Sequence, residues 1–247
     1  MIGQDFDTNY IPARPSISAR WVEWSALLGR IPETPEKVKQ DEAFRSAAGA
    51  AGPVLVLPGI AAADGQTTRL RRHLHDLGFL ARGWGMGVNI GPTRRVLDRL
   101  SALVTATANT EGPINLVGLS MGGLFARWVA QHHAPLVRQV ITVCSPFRSP
   151  LDSFFLPLRQ IAPLWPCDLA AFVEAVSLPP PVPATYLYTI TDGMVAWASC
   201  LDPENPVDCF EFMGAHMTMP SNPAVWSLVA KRLVRSLNSE TTLAGRL

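Results

Sequence analysis

Ser120 stands in the run Gly118-Leu119-Ser120-Met121-Gly122-Gly123, small residues on both sides of a hydroxyl. The residues before it, Pro113-Ile114-Asn115-Leu116-Val117, read as a short buried strand, and those after it, Leu124 to Ala130, read as a helix. A turn this sharp between strand and helix forces its apex into a sparsely populated backbone region, where bulky neighbours would collide. Glycine at 118 and 122 removes those collisions. The Ser120 hydroxyl is then expected above the sheet edge at a helix N-terminus, where unpaired N–H groups and the helix dipole favour a developing negative charge. Gly, Ser and Gly also recur in ordinary turns, so the chemistry depends on partners for the serine.

A nucleophile on such a turn recruits its acid and then its histidine further along the chain. Of five histidines, His132 and His133 end the helix that Ser120 starts, and His73 and His75 fall in a charged helix and read as surface residues. His216 remains, on the loop after Phe210-Glu211-Phe212-Met213 and the break Gly214-Ala215. For the acid, the β-branched and aromatic strand Ala184 to Ile190 ends at Thr191-Asp192-Gly193, which puts Asp192 at the carboxyl edge of a parallel sheet, the edge that carries Ser120 and His216. Asp-Gly is also a common turn dipeptide, and Asp152, Asp168, Asp202 and Asp208 stand as replacements.

These residues resemble the α/β-hydrolase fold enzymes, and more closely the lipase and esterase-like members. The resemblance is carried by Gly118 to Gly123, Leu57-Pro58-Gly59-Ile60, Asp192-Gly193-Met194-Val195 and Gly214-Ala215-His216-Met217 with Asn222-Pro223, and it spans about Pro53 to Leu237. It implies an oxyanion hole made by the backbone N–H groups of Ile60 and Met121. Pro58 stands where many members have histidine before the glycine, which makes Ala61 the next candidate for the first donor.

The elements alternate as a mostly parallel sheet with helices on both faces requires. Strands are expected at Val54–Leu57, Phe79–Trp84, Ile114–Leu119 and Val137–Val143, and helices at Thr67–Leu77, Arg94–Ala108 and Ala224–Leu237. Residues 1–52 read as an N-terminal extension with a helix packed on the hydrolase domain of residues 53–247. Between Ser145 and Pro183 the pattern changes to many aromatic and leucine residues, with eight prolines from Pro146 to Pro181. Proline-broken helices cannot extend a sheet, so a cap or lid insertion over the active edge is expected there, with Phe154, Phe155 and Trp165 as apolar substrate contacts. Trp84-Gly85-Met86-Gly87-Val88-Asn89 places a glycine-rich loop at the same edge, and Trp84 is a candidate wall of the substrate site, although the loop also reads as a plain turn.

Composition bounds the rest. A chain of 247 residues, 48% hydrophobic, can bury the core of one α/β domain. A formal net charge of +1 offers no electrostatic case for nucleic acid. No run approaches the ~18 apolar residues of a membrane span, and no basic region followed by an apolar core opens the chain. A cytoplasmic location is the expectation. Cys144 reads as a small core residue, and Cys200 and Cys209 flank a loop across which they could face each other, with a disulfide there as the lesser reading. No paired zinc spacing occurs, so neither metal nor cofactor is expected. The function read from these residues is hydrolysis of a small-molecule carboxylic ester with an apolar part, with an acyltransferase on the same residues, or a non-catalytic binding protein, as alternatives.

Overall fold

The computed structural model describes residues 15–16, 18–20, 42–152, 160 and 165–244. Six strands form one sheet: β1 (Pro53–Leu57), β2 (Leu80–Gly83), β3 (Ile114–Leu119), β4 (Val137–Val143), β5 (Ala184–Tyr188) and β6 (Cys209–Glu211), in the order β2-β1-β3-β4-β5-β6. Every neighbouring pair is parallel. The register sets Leu57 level with Gly118, Leu119 with Val143, and Val143 with Leu187. The loops that leave these four strands therefore begin in line at one edge.

Among the described residues the helices that flank the sheet are α1 (Glu42–Ala50), α2 (Asp64–Asp76), α3 (Arg94–Glu111), α4 (Met121–His132), α5 (Leu169–Ser177) and α6 (Pro223–Ala244). Strand alternation sorts the core into two layers. Val54 and Val56 of β1 face Leu70 and Leu74 of α2 and Val225, Val229 and Leu233 of α6. Leu55 and Leu57 face the other way, toward Leu100 of α3, Leu124 and Phe125 of α4, and Phe172 and Val176 of α5. Two-sided burial is why β1 and β3 are buried at every position and why the apolar run Val54 to Leu57 shows no alternation in sequence. The ends of α3 carry local signals: the Thr93 hydroxyl accepts from the Val96 amide at 3.2 Å, and Gly112 closes the helix at φ 86°.

Three expectations are corrected in detail. The stretch from Ser145 to Pro183 is not all cap: its second part is α5, a crossover helix between β4 and β5 that packs on α4. Phe172 lies 6.0 Å from the Phe125 ring in an edge-on contact, so this part of the aromatic load is core. The buried Arg127 of α4 holds the end of α5, donating to the carbonyls of Val176 at 2.5 Å and Leu178 at 2.7 Å while its guanidinium covers the Phe147 ring at 3.8 Å. Second, the strand expected through Trp84 ends at Gly83, because the next two amides leave the ladder for the Asp64 carboxylate, each at 2.9 Å. Third, His73 is not a plain surface residue: it is half-buried, with its ring 5.6 Å from that of Trp226 on α6, and burial lowers its pKa from the ordinary histidine value. Within residues 1–52, α1 is tied to the core by Ala48 and by Phe44, edge-on to Phe79 at 6.2 Å. None of the four cysteines is in a disulfide.

Candidate active site

Ser120 is the junction of β3 and α4, at φ 52° and ψ −119°. A non-glycine residue held there costs on the order of 1–3 kcal/mol, which the surrounding structure must offset. Close packing explains how. A Cβ on Gly118 would sit 2.3 Å from the Gly122 carbonyl oxygen, and one on Gly122 would sit 2.3 Å from that of Leu57. Only bare backbone lets α4 start directly against β1 and β3. The Ser120 amide donates to the Val143 carbonyl at 2.8 Å, so the turn is also clamped to β4.

His216 and Asp192 meet across the sheet edge, with Nδ1 of His216 2.6 Å from Oδ2 of Asp192. Both are buried, Asp192 to 1% exposure. Its other oxygen accepts the amides of Met194 and Val195, each at 2.9 Å, so the carboxylate is held by two backbone amides and the imidazole. The loops bearing the two residues are stitched together by hydroxyls: Thr189 and Thr191 donate to the Gly214 carbonyl at 2.8 and 2.6 Å. Gly214 itself stands at φ 138°, and Thr218 closes the His216 loop by accepting from the Ala215 amide at 3.0 Å. Three of the four replacement acids are engaged elsewhere. Asp168 caps α5, Asp208 pairs with Arg232, and Asp202 accepts from Tyr186 Oη and Asn205 Nδ2, each at 3.1 Å.

Opposite the serine runs the loop Pro58 to Ala62. Ala61 donates its amide to the Asn89 carbonyl at 2.7 Å, which takes it out of contention as an oxyanion donor. The Ile60 amide has no acceptor among the described residues. Met121 is the first residue of α4, where an N–H has no intrahelical acceptor. The loop is fixed from behind by Asn89, fully buried, whose Nδ2 donates to the Pro58 carbonyl at 2.9 Å and whose amide donates to the Ala62 carbonyl at 2.7 Å. Gln66 Oε1 accepts the Gly59 amide at 2.8 Å. Ala61, Ser120 and Cys144 are the non-glycine residues at positive φ among those described, and all three lie just past the ends of β1, β3 and β4.

Ser120 and His216 line one cleft of about 340 Å³, partly open to solvent, together with Ile60, Met121, Leu124, Pro146, Pro150, Met194 and Val195. Apart from the serine and the histidine the lining is apolar. Of the expected substrate contacts, Trp84 lies in the core, 2% exposed, with Nε1 donating to the Gly87 carbonyl at 2.9 Å and its ring stacked 6.1 Å from Phe125. Trp165 packs against Gly91, where a Cβ would lie 2.4 Å from the indole. Neither ring belongs to the cleft lining. Phe154 and Phe155 lie outside the described residues.

The family described as the α/β-hydrolase fold matches residues 96–180. A metagenome-derived lipolytic enzyme of the LipS and LipT pair superposes with a TM-score of 0.54 at 14% identity, over 74% of this chain and 94% of its own. The α/β-hydrolase domain-containing protein 10 from mouse gives 0.53 at 17% identity, over 76% of this chain and 90% of its own. The chain has the α/β-hydrolase fold. No curated protein matches the sequence. Within the α/β-hydrolase frame, the residues that sequence reasoning missed are those behind the site: Gln66, Thr189, Thr191 and the clamping role of Asn89. Their signal in sequence is weak, since each acts through hydrogen bonds to backbone atoms with no periodic relation to it along the chain.

Proposed function

We propose that the protein is a serine hydrolase of carboxylic esters with an apolar part. The observation that carries this reading is the shared cleft: Ser120 and His216 line it together, and His216 Nδ1 is held 2.6 Å from the Asp192 carboxylate. Ser120 Oγ attacks the ester carbonyl while His216 takes its proton at Nε2, and Asp192 holds the tautomer with Nδ1 protonated and stabilises the imidazolium. The carbonyl oxygen becomes an oxyanion facing the Ile60 and Met121 amides. On collapse, His216 returns the proton to the leaving alcohol and an acyl-serine remains. Water then repeats the sequence, giving up a proton to His216 and releasing the acid and the free Ser120. The chemistry needs only these residues and water.

The apolar lining from Leu124, Pro146, Pro150, Met194 and Val195 supports an apolar acyl or alcohol portion. Each buried methylene contributes about 0.8 kcal/mol, so a few carbons raise specificity tenfold or more. A fluorophosphonate probe should label Ser120, and kcat/KM over p-nitrophenyl esters from acetate to palmitate should rise beyond acetate before cleft length limits it. A profile that falls steadily from acetate would replace this reading with a small-acyl esterase, and labelling at another residue would remove it. Added glycerol that captures most of the acyl group would turn the assignment to an acyltransferase.

A further inference from the structure

Cys144 has no part in the chemistry above, yet the fold brings it to the same place. It follows directly on β4, which lies between the strand that leads to Ser120 and the strand that leads to Asp192. Its backbone is held at φ 48°, and its amide donates to the Leu187 carbonyl at 2.8 Å. A residue turned left-handed at a strand end aims its side chain off the regular path of the sheet. Here the result is a cluster: a thiol sulfur, an Asp192 carboxylate oxygen and a His216 ring nitrogen all lie within 4.8 Å of one another, in a buried setting.

Sulfur, imidazole nitrogen and carboxylate oxygen are the three donor types that zinc takes. With bonds of about 2.0–2.3 Å, tetrahedral ligands stand roughly 3.2–3.8 Å apart, so the trio needs only small shifts to close on one ion. We propose that Cys144, Asp192 and His216 form a binding site for a soft or borderline divalent cation, zinc above all, and that occupancy of this site switches the enzyme off. On binding, the thiol gives up its proton to solvent and the thiolate joins the ion, the Nδ1 proton of His216 passes by way of solvent to Nε2 so that the Nδ1 lone pair can ligate, and a fourth position is left for water. The imidazole that would accept the Ser120 proton, and the carboxylate that orients it, are then both metal ligands. Asp192 can take this role without leaving its loop, because its Oδ1 stays fixed by the Met194 and Val195 amides. His216 lines the cleft, which gives the ion an entry path.

The inhibitory half of this proposal rests on the hydrolase reading, and the binding half does not. Cobalt(II) separates them, because a cobalt–thiolate bond has a charge-transfer absorption in the near ultraviolet that needs no substrate. The wild-type protein titrated with cobalt should develop this band at one equivalent. Cys200→Ala should keep it, and Cys144→Ala and Cys144→Ser should lose it. In the activity arm, zinc should inhibit p-nitrophenyl ester turnover reversibly, with recovery on adding a chelator. Both Cys144 variants should retain turnover without metal and require at least about tenfold more zinc for half-inhibition, since loss of even an outer partner of a metal site costs that much. Absence of the band in the wild type, or its persistence in both Cys144 variants, would overturn the site. Equal zinc sensitivity of wild type and variants, with the band intact in the wild type only, would overturn the switch. A band without any ester turnover would leave the site standing and sink the hydrolase reading.

Discussion

The Asn89 carboxamide donates to the carbonyl of Pro58 at 2.9 Å, from a fully buried position. The same residue exchanges backbone hydrogen bonds with Ala61 and Ala62 at 2.7 Å, so one asparagine sets the path of the loop that presents the Ile60 amide. Asn89→Ala leaves the Pro58 carbonyl buried without its donor, at about 1–3 kcal/mol. The displaced donor should lower kcat by about a hundredfold with KM little changed, since the oxyanion exists only beyond the ground state. Steady-state kinetics beside thermal unfolding check this, and a rise in KM alone would assign Asn89 to substrate binding.

Ser120→Ala should abolish ester turnover, on the order of 10⁶ in kcat, and fluorophosphonate labelling with it. Retention of more than about a tenth of activity would require another nucleophile.

Asp192→Asn and Asp202→Asn should part company. Asp192→Asn loses the carboxylate that orients His216 and should cost about 10⁴ in kcat while the fold survives. Asp202 lies under Tyr186 and Asn205, so its substitution should lower unfolding stability and spare turnover. The reverse ranking would move the acid one loop along.

Burial pushes the Tyr186 hydroxyl up from 10.0 to about 12, against the favourable charge of Arg127. The folded state thus favours the neutral phenol. Below pH 10 the full contribution is present. Between pH 10 and 12 the unfolded chain ionises first and the contribution is lost, on the order of 2–3 kcal/mol in all. Urea unfolding from pH 8 to 11 should show a steeper fall for the wild type than for Tyr186→Phe. Parallel curves would place the titration elsewhere.

Much of this site was legible because its residues carry strong local signals. Ser120 announces itself through glycines that packing demands, and Asp192 and His216 sit where a strand pattern stops, so chain order and the parallel sheet bring them to one edge. Other parts were not. Phe172 and Trp84 read as substrate contacts or cap residues because an aromatic residue bound for a helix–sheet core and one bound for a ligand look alike in sequence. The bond from Asn89 to Pro58 joins residues with no periodic relation, and only the fold supplies it. Cys144 has none of the close spacing of an ordinary zinc motif, because its neighbours come from the ends of three strands rather than one loop.

Ala61, Ser120 and Cys144, the three left-handed residues past β1, β3 and β4, lie along one rim of the molecule. Each is kept in place by a bond to a neighbouring strand or loop, at 2.7 Å to Asn89, 2.8 Å to Val143 and 2.8 Å to Leu187. Backbone tension concentrated in this way relaxes when the rim loosens, and nothing comparable pulls on the sheet interior. On heating, the machinery should therefore fail before the scaffold does, with turnover disappearing several degrees below the loss of far-ultraviolet ellipticity.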